Sequence, residues 1–262
     1  MFSELFSSLT TSCPAYVRNM DYLAEEISMR GRAQRNQLAW QPHLDRSRAF
    51  VLSAAERCSN RGLVVVLGAG LLLDVPLAEL SSLFREVVLV DIVFLPEIWR
   101  WIRSFSNVKL LQYDVTGLAA KLYDNVQHGI PELPHTLPKM PETAKNAGLV
   151  VSLNILSQLW VIPRAYALKK IPNVDAERMD DWCGQMARSH YDLLSALACD
   201  VCLVADHEFV KRDRDGDVIS RGSTIGEFDL PEPTASWTWK IAPAEERQPF
   251  SKELLVGAWH LR

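Results

Sequence analysis

The middle of the chain alternates between short apolar runs and longer stretches with one apolar face. Five runs rich in valine and leucine are typical of strands buried on both faces of a parallel sheet. They predict strands at residues 63–67, 86–91, 108–112, 149–153 and 200–205. Between the runs, apolar residues recur every three to four positions, as in amphipathic helices. The alternation therefore predicts an α/β fold with helices on both faces of the sheet.

The beginning of the chain has no strand pattern. Apolar positions at helical spacing predict one helix from Pro14 to Gly31 and a second from about His43 to Cys58. Proline suits the first turn of a helix and glycine its end. We therefore expect a helical N-terminal cap over residues 1–60 and a main domain over residues 61–262.

The end of the chain predicts antiparallel strands. Asp215 and Gly216, between two short apolar runs, predict a hairpin turn. Strands are predicted at residues 236–242 and 254–261 with no helical pattern between them, so we expect them to pair antiparallel. The complete prediction is a Rossmann-like, mostly parallel sheet of seven strands that ends in an antiparallel pair. Four prolines between residues 131 and 141 predict a surface loop at 125–146.

The composition is that of an ordinary globular protein. Of 262 residues, 48% are hydrophobic and 23% are charged, and the net charge is −4. This charge gives no general reason to bind nucleic acid, and no apolar run approaches the roughly 20 residues that span a bilayer. The first residues lack the pattern of a signal peptide, so we expect a cytoplasmic protein. Five scattered cysteines, an odd number, argue against a complete disulfide framework.

The strongest candidate for a binding site follows the first predicted strand. Leu67 is followed by Gly68, Ala69 and Gly70. Glycine lets the backbone turn tightly and approach a ligand that a Cβ atom would exclude. In open α/β sheets, ligands bind outside the carboxyl ends of the strands. The turn therefore predicts a site for a nucleotide-like cofactor.

Three polar residues follow later strands in the same way. Asp91 ends the second strand, Asp114 follows the third, and Asn154 follows the fourth. Together with the glycine turn and the antiparallel end of the sheet, this series resembles class I S-adenosylmethionine-dependent methyltransferases over about residues 60–262. The resemblance implies methyl transfer as the activity and S-adenosylmethionine as the cofactor.

The resemblance also implies a set of cofactor-binding residues. These are Gly68, Ala69, Gly70, Asp91, Ile92, Asp114, Val115 and Asn154. The glycine turn is expected to approach the methionine part of the cofactor, and Asp91 to accept hydrogen bonds from both ribose hydroxyls. Asp114 is expected to meet the adenine amino group, and Asn154 to lie near the sulfonium and the substrate.

Methyl transfer also needs a group that orients the nucleophile and, for some acceptors, a base. Asn154 is a candidate for the first role, with a helix cap as the alternative. His207 follows the fifth strand and is the candidate base, because an unperturbed histidine titrates near neutral pH. A purely structural histidine is the alternative reading. Cys199 and Cys202 have no second pair to accompany them, so we expect buried thiols and no metal site.

Two departures from the commonest methyltransferase pattern keep other functions open. Many members carry an acidic residue two positions before the first glycine and a third glycine after the second, where this chain has Val66 and Leu72. One alternative is a methyltransferase-like scaffold that acts through a partner. The other is an NAD(P)-dependent oxidoreductase, because the glycine turn and Asp91 fit the dinucleotide fingerprint, with Leu73 in place of its third glycine. We expect a small-molecule acceptor and no nucleic-acid or membrane partner, and the sequence leaves the oligomeric state open.

Overall fold

A computed structural model of the chain describes residues 7–135, 138–243 and 250–261. Over these ranges the strands form one eight-stranded sheet, with helices packed on both of its faces. The strands are β1 (Leu63–Leu67), β2 (Glu86–Asp91), β3 (Val108–Gln112), β4 (Leu149–Leu153), β5 (Asp200–Arg212), β6 (Val218–Ser223), β7 (Ala235–Ala242) and β8 (Ser251–His260). Strands β1 to β4 have the predicted bounds, and β5 begins at the predicted residue.

The strand order across the sheet is β3-β2-β1-β4-β5-β8-β7, and β6 pairs with β5 off this path. Strands β1 to β5 are parallel, whereas β8 is antiparallel to both β5 and β7. The predicted mostly parallel sheet with a terminal antiparallel pair is therefore confirmed.

The sheet has eight strands and not the predicted seven, because β5 continues beyond residue 205 and β6 pairs with its outer half. Strand β5 continues to Arg212, and its outer half pairs with β6 on one edge and with β8 on the other. The predicted hairpin is confirmed as the β5–β6 connection, in which Gly216 has a φ of 91°. The charged residues after position 205 predict the end of the fifth strand. Backbone hydrogen bonds between strands do not require apolar side chains, so the strand continues.

The helices lie before and between the strands. They are α1 (Ala15–Asn19), α2 (Tyr22–Arg35), α3 (Gln37–Arg57), α4 (Leu77–Leu83), α5 (Pro96–Trp101), α6 (Ala119–Gln127), α7 (Val161–Lys170) and α8 (Ala176–Ser195). Residues 7–10, before α1, are also helical. Within the described ranges, none of the helices combines the length and the apolar character needed to cross a bilayer.

The N-terminal region is helical, as predicted, but its helices have other bounds. The helix predicted from Pro14 to Gly31 is interrupted at Asp21, whose φ of 71° lies in the left-handed region. Gly31 lies inside α2 and does not end it. Helix α3 begins before the predicted start at His43. Spacing of apolar residues predicted the helices, whereas their ends depend on backbone conformation that this spacing does not encode.

The loop predicted at residues 125–146 contains more regular structure than expected. Helix α6 extends to Gln127, and a 3₁₀ helix spans Glu142–Asn146. Residues 136–137 of this loop lie outside the described ranges. Helix α7 spans residues for which the pattern of apolar positions predicts no helix.

Alternate residues of the inner strands face opposite layers of the core. In β1, Val64 and Val66 contact the layer that contains α3 and α4, whereas Val65 and Leu67 contact the layer that contains α6, α7 and α8. Fully burying a side chain of this size stabilises the fold by about 1.5–3 kcal/mol. Trp40 of α3 is part of the first layer, so the N-terminal region shares the main core.

Helix α2 lies next to the carboxyl ends of β1 and β2. Ile27 joins Val93 and Leu95, which follow β2, in one buried cluster. Arg30 and Glu97 add an ion pair of 2.6 Å between α2 and α5. These contacts hold one face of α2 beside the glycine turn.

Candidate functional site

Two adjoining cavities open at the carboxyl ends of the parallel strands. The first, which we call the acidic cavity, has a volume of about 220 Å³ and is lined by the carboxylates of Glu25, Glu26, Asp91 and Asp114. The second, which we call the aromatic cavity, has a volume of about 490 Å³ and is lined by the rings of Trp40, His43, Trp160, Phe209 and Trp239. Both cavities include Glu26, Gly68 and Asp91 in their walls, so they form one cleft.

Gly68 and Gly70 both lie in the turn after β1, and each is glycine for a different reason. Their φ values are 80° and 40°. A Cβ atom on Gly68 would lie 2.1 Å from Ile155 Cγ2 and 2.7 Å from a backbone carbonyl oxygen of β4, so packing inside the protein requires glycine there. A Cβ atom on Gly70 would lie 3.4 Å from Glu26 Oε1 and 3.5 Å from Asp91 Oδ2, which is ordinary contact. Gly70 therefore leaves open the space beside two carboxylates of the acidic cavity.

Asp91 ends β2 at the wall of the acidic cavity, and the backbone holds its carboxylate. Oδ2 accepts a hydrogen bond from the Gly70 N–H group at 2.8 Å, and Oδ1 accepts one from the Ile92 N–H group at 2.7 Å. Burial raises the pKa of Asp91 to about 6, while these N–H groups stabilise the carboxylate. The Ala69 N–H group donates to the Val90 carbonyl oxygen at 3.1 Å, which fixes the turn to β2. A carboxylate has roughly four acceptor positions, so Asp91 retains capacity for ligand hydroxyl groups.

A further carboxylate, Glu26, enters the acidic cavity from α2 and is absent from the sequence predictions. Its Oε1 atom is buried and has no hydrogen-bond partner in the described part of the chain. Burial raises the pKa of Glu26 well above its usual value, and the charge of Asp91 raises it further. No local pattern could identify Glu26, because Asp91 and the turn are distant from it in sequence.

Asp114, Val115 and Ile92 also line the acidic cavity. The Asp114 carboxylate caps the start of α6, because its Oδ2 atom accepts a hydrogen bond from the Ala119 N–H group at 2.9 Å. Its Oδ1 atom accepts from the Thr116 N–H group at 2.9 Å and from the Thr116 hydroxyl at 2.5 Å. Asp114 thus stabilises a helix start while it borders the cavity. Lys and Arg are absent from the described lining of this cavity, so its charge favours a cationic ligand.

Asn154 lies in the wall of the aromatic cavity, directly after β4. Its φ of 53° is left-handed, a conformation that asparagine adopts more readily than most residues. Nδ2 donates to Asp74 Oδ2 at 2.6 Å and lies 3.2 Å from His43 Nε2. Burial raises the pKa of Asp74, and the hydrogen bond from Asn154 lowers it. The next helix begins only at Val161, so Asn154 is too far along the chain to cap it.

His43 of α3 is a second residue of the cleft that the sequence predictions missed. The Trp237 indole N–H group donates to His43 Nδ1 at 3.0 Å, and the imidazole stacks on Trp239 with the ring centroids 4.0 Å apart. Burial lowers the pKa of His43 to about 3, so the ring is neutral at pH 7. Because an indole N–H group can only donate, Nδ1 accepts, and the proton of the neutral ring lies on Nε2.

Asp206 and Lys252 lie in the part of the aromatic cavity formed by β5 and β8. Asp206 Oδ1 accepts a hydrogen bond from the Ser157 hydroxyl at 2.6 Å. Burial raises the pKa of Asp206, whereas the Ser157 hydroxyl and the charge of Lys252 lower it. Burial lowers the pKa of Lys252, whereas the charge of Asp206 raises it. The two side chains are therefore close enough for each to stabilise the other's charge.

The structure does not bring His207, the predicted base, into the cleft. His207 lies at an irregularity in the β5–β8 pairing, between Asp206 and Glu208. Its ring is edge-on to Trp259, with the centroids 6.1 Å apart, and Trp259 belongs to the core layer of α6, α7 and α8. His207 is not among the described residues that line either cavity. A catalytic role for His207 stays a prediction.

Comparison with solved structures finds several similar proteins. A structure of DhpI in complex with SAH has 18% sequence identity and a TM-score of 0.36, over 86% of this chain and 91% of that chain. A complex of DhpI with SAM and HEP has 16% identity and a TM-score of 0.38, over 93% and 99%. The 23S rRNA methyltransferase ErmE has 12% identity and a TM-score of 0.27, over 80% and 68%. No protein-family model matches the chain, and neither does any curated protein.

The chain itself has a class I methyltransferase-like fold. Five parallel strands carry the glycine turn at the carboxyl end of β1, and the antiparallel strands β8 and β7 extend the sheet beyond β5. This is the arrangement on which the resemblance drawn from the sequence depends.

Proposed function

We propose that this protein is an S-adenosylmethionine-dependent methyltransferase that modifies a small molecule. The observation that supports this most strongly is the acidic cavity beside the glycine turn. Asp91 there has acceptor capacity for hydroxyl groups, and the described lining adds three further carboxylates and no cationic side chain. S-adenosylmethionine carries two ribose hydroxyls and a sulfonium cation, and both features suit this cavity.

The residues that surround the cavity also fit the cofactor. Gly70 leaves open the space beside Asp91 and Glu26 that a side chain would reduce. The buried Oε1 atom of Glu26 lacks a donor within the described ranges, and an unpaired buried acceptor costs about 1–3 kcal/mol. We propose that Asp91 and Glu26 accept hydrogen bonds from the ribose, and that Ile92 and Val115 border the adenine.

A dinucleotide-dependent oxidoreductase fits the structure less well. In the dinucleotide fingerprint a helix begins directly at the glycine turn, where its N–H groups bind the pyrophosphate. Here α4 begins at Leu77, after a loop in which Leu72 has a φ of 57°.

The aromatic cavity supplies groups that can position an acceptor. S-adenosylmethionine brings an activated methyl group when bound, so orientation of the nucleophile is the main contribution of the protein. Asn154 and Asp206 both lie in the cavity wall. The Asn154 amide can donate a hydrogen bond to a nucleophile or accept one from it, and the Asp206 carboxylate can accept one. Burial raises the pKa of Asp206, which favours proton uptake. We therefore place Asp206 before His207 as the candidate base.

Calorimetric titration of the purified protein tests the proposal. We expect S-adenosylmethionine and S-adenosylhomocysteine each to bind with one molecule per chain, and NADH and NADPH to give no binding heat. Binding of a nicotinamide dinucleotide alone would overturn the proposal. Failure of all four to bind would instead favour a scaffold that acts through a partner.

A further inference from the structure

We infer that the acceptor is an anion, and that Arg32, Lys252 and the indole N–H group of Trp239 bind its carboxylate or phosphate group in the aromatic cavity. The inference rests on the proposed methyltransferase function and deepens it, because it names the chemical class of the acceptor. Three features of the aromatic cavity support it: the group of cations at its end between α2, β5 and β8, its unpaired donors, and the positions of the cations on its aromatic rings.

The aromatic cavity shares Glu25, Glu26 and Asp91 with the acidic cavity and adds Asp74 and Asp206, but its end between α2, β5 and β8 also carries cations. Arg32 and Lys252 line the aromatic cavity, and neither forms an ion pair with a residue of the described ranges. Lys211 is near enough that its charge lowers the pKa of Lys252. Asp206 is the carboxylate whose charge acts on Lys252. Lys252 thus lies near two further cations, Arg32 and Lys211, and one carboxylate, so this end of the cleft favours an anion.

The indole N–H group of Trp239 is a donor that has no acceptor. Trp239 is only 9% exposed, and its Nε1 atom is buried without a hydrogen-bond partner among the described residues. An indole nitrogen can only donate, so an oxygen atom of a ligand is the partner that satisfies it. A buried donor left unpaired is unfavourable, and a hydrogen bond to a bound oxyanion would remove that cost.

His43 and Asn154 provide a further unpaired donor in the same cavity. The proton on His43 Nε2 points towards Asn154 Nδ2, which is 3.2 Å away and is itself a donor. Two N–H groups cannot bond each other, whereas one ligand oxygen can accept from both. Reversing the amide would bring two acceptors together, because Nδ2 donates to Asp74 Oδ2 at 2.6 Å. In the observed orientation Asn154 Oδ1 is a buried acceptor without a partner among the described residues, and the His43 Nε2–H group is the donor that requires an acceptor.

The aromatic rings do not form an open cage for a cationic acceptor. The Arg32 guanidinium already lies 5.8 Å from the centroid of the Trp40 ring, and Lys252 Nζ lies 5.4 Å from that of Phe209. A cationic amine gains from such rings only where their faces are free. It would also be repelled by Arg32 and Lys252, and it would leave the donor of Trp239 unpaired.

Four matched fragments test the charge preference. Tryptophan-selective ¹⁵N labelling gives one indole signal for each of the eight tryptophans, and the Trp239 signal is assigned through Trp239→Phe. The protein, saturated with S-adenosylhomocysteine, is titrated with benzoate, phenyl phosphate, benzamide or benzylammonium at constant ionic strength. We expect at least one of the two anions to move the Trp239 signal saturably, with a Kd at least tenfold below that of benzamide. The stronger anion distinguishes a carboxylate from a phosphate acceptor.

Two lysine variants locate the effect. Lys252→Met is expected to raise the Kd of the preferred anion about tenfold, because it removes a cation of the cavity. Lys240→Met, which removes an exposed lysine of β7, is expected to change this Kd less than twofold. Direct assignment of the indole signals replaces Trp239→Phe if that variant does not fold.

Several results would overturn the inference. In the fragment titrations they are tighter binding of benzylammonium than of the anions, equal binding of all four fragments, or no shift of the Trp239 signal with any fragment. In the variants, it is an equal loss of anion affinity in Lys252→Met and Lys240→Met. Failure of the proposed function is recognised separately, because calorimetry reports S-adenosylhomocysteine binding in the same samples. If S-adenosylhomocysteine does not bind, the methyltransferase proposal fails even where an anion still moves the Trp239 signal.

Discussion

The acidic and aromatic cavities are built in different ways. In the acidic cavity, backbone N–H groups hold the key carboxylate, as when Ile92 donates to its neighbour Asp91. In the aromatic cavity, side chains from distant segments hold one another, as when Trp237 of β7 donates to His43 of α3. Local turn chemistry therefore determines much of the first cavity, and tertiary packing determines the second.

The N-terminal helices contribute to both cavities. Helix α2 supplies Glu26 beside Asp91, and α3 supplies His43 beside Asn154. The region predicted as a helical N-terminal cap thus provides polar groups inside the cleft. Substitutions and pH changes at Gly68, Asp91 and His43 test whether the two cavities have separate roles, with the largest effect expected at Gly68.

Gly68 lies where the two cavities meet, and its substitution should have the largest effect. An added Cβ atom would overlap Ile155 and the backbone of β4, so Gly68→Ala should lower the free energy of unfolding by about 3 kcal/mol or more. Gly129→Ala is the matched control, because Gly129 has a φ of 68° and nothing within 4 Å of the added Cβ atom. Urea denaturation measures both variants. Equal losses would show that the close approach at Gly68 is relieved without cost.

Asp91→Asn should weaken S-adenosylhomocysteine binding much more than the equivalent change in the aromatic cavity. Two hydrogen bonds from ribose hydroxyls to a carboxylate contribute about 1.5 kcal/mol each, so the Kd of S-adenosylhomocysteine should rise about 100-fold. Asp206→Asn makes the same chemical change in the aromatic cavity and should alter this Kd less than threefold. Calorimetry measures both. Equal losses would contradict separate roles for the two carboxylates.

His43 should make the aromatic cavity sensitive to acid. Burial depresses its folded-state pKa to about 3, below the unfolded value of about 6.5, so the unfolded chain binds the extra proton first. Stability from His43 is complete above about pH 6.5 and should fall by roughly 1.4 kcal/mol per pH unit as the pH drops towards 3. His43→Gln should reduce this slope in urea denaturation between pH 6.5 and 4.5, whereas exposed His128→Gln should not. An unchanged slope in His43→Gln would show that other groups cause the acid sensitivity.

Asp91 should make cofactor affinity fall at low pH. Its pKa is raised to about 6 in the free protein, and only the carboxylate can accept from both ribose hydroxyls. Below pH 6, the Kd of S-adenosylhomocysteine should rise up to about tenfold per pH unit, and above pH 7 it should be nearly constant. The same titrations with Asp91→Asn should show a smaller dependence. A Kd that improves on acidification would mean that protonated Asp91 binds the ligand.

The sequence predicted the parallel sheet and the acidic cavity better than the rest of the molecule. Buried strands β1 to β4 are continuous apolar runs, and Asp91 and Asp114 directly follow such runs, so their common edge follows from the topology. The extension of β5 was missed because its outer half carries charged side chains and is stabilised by pairing with β6 and β8.

The aromatic cavity could not be predicted from local pattern. His43 and Trp237 lie on a helix and a strand that meet only in the folded protein, and neither residue stands in a motif. Asp206 and His207 are adjacent in sequence, but successive residues of a strand face opposite sides. Histidine is a common catalytic base, so the sequence favours His207 for this role. In the structure the Asp206 side chain lines the cavity and His207 does not.

Hydrogen exchange with and without S-adenosylhomocysteine tests most directly whether the acidic cavity binds the cofactor. We expect the ligand to slow exchange in residues 91–93, in residues 113–116 and in α2, and to leave β6 and β7 nearly unchanged. Protection confined to β6 and β7, or binding without protection of residues 91–93, would contradict this assignment of the two cavities.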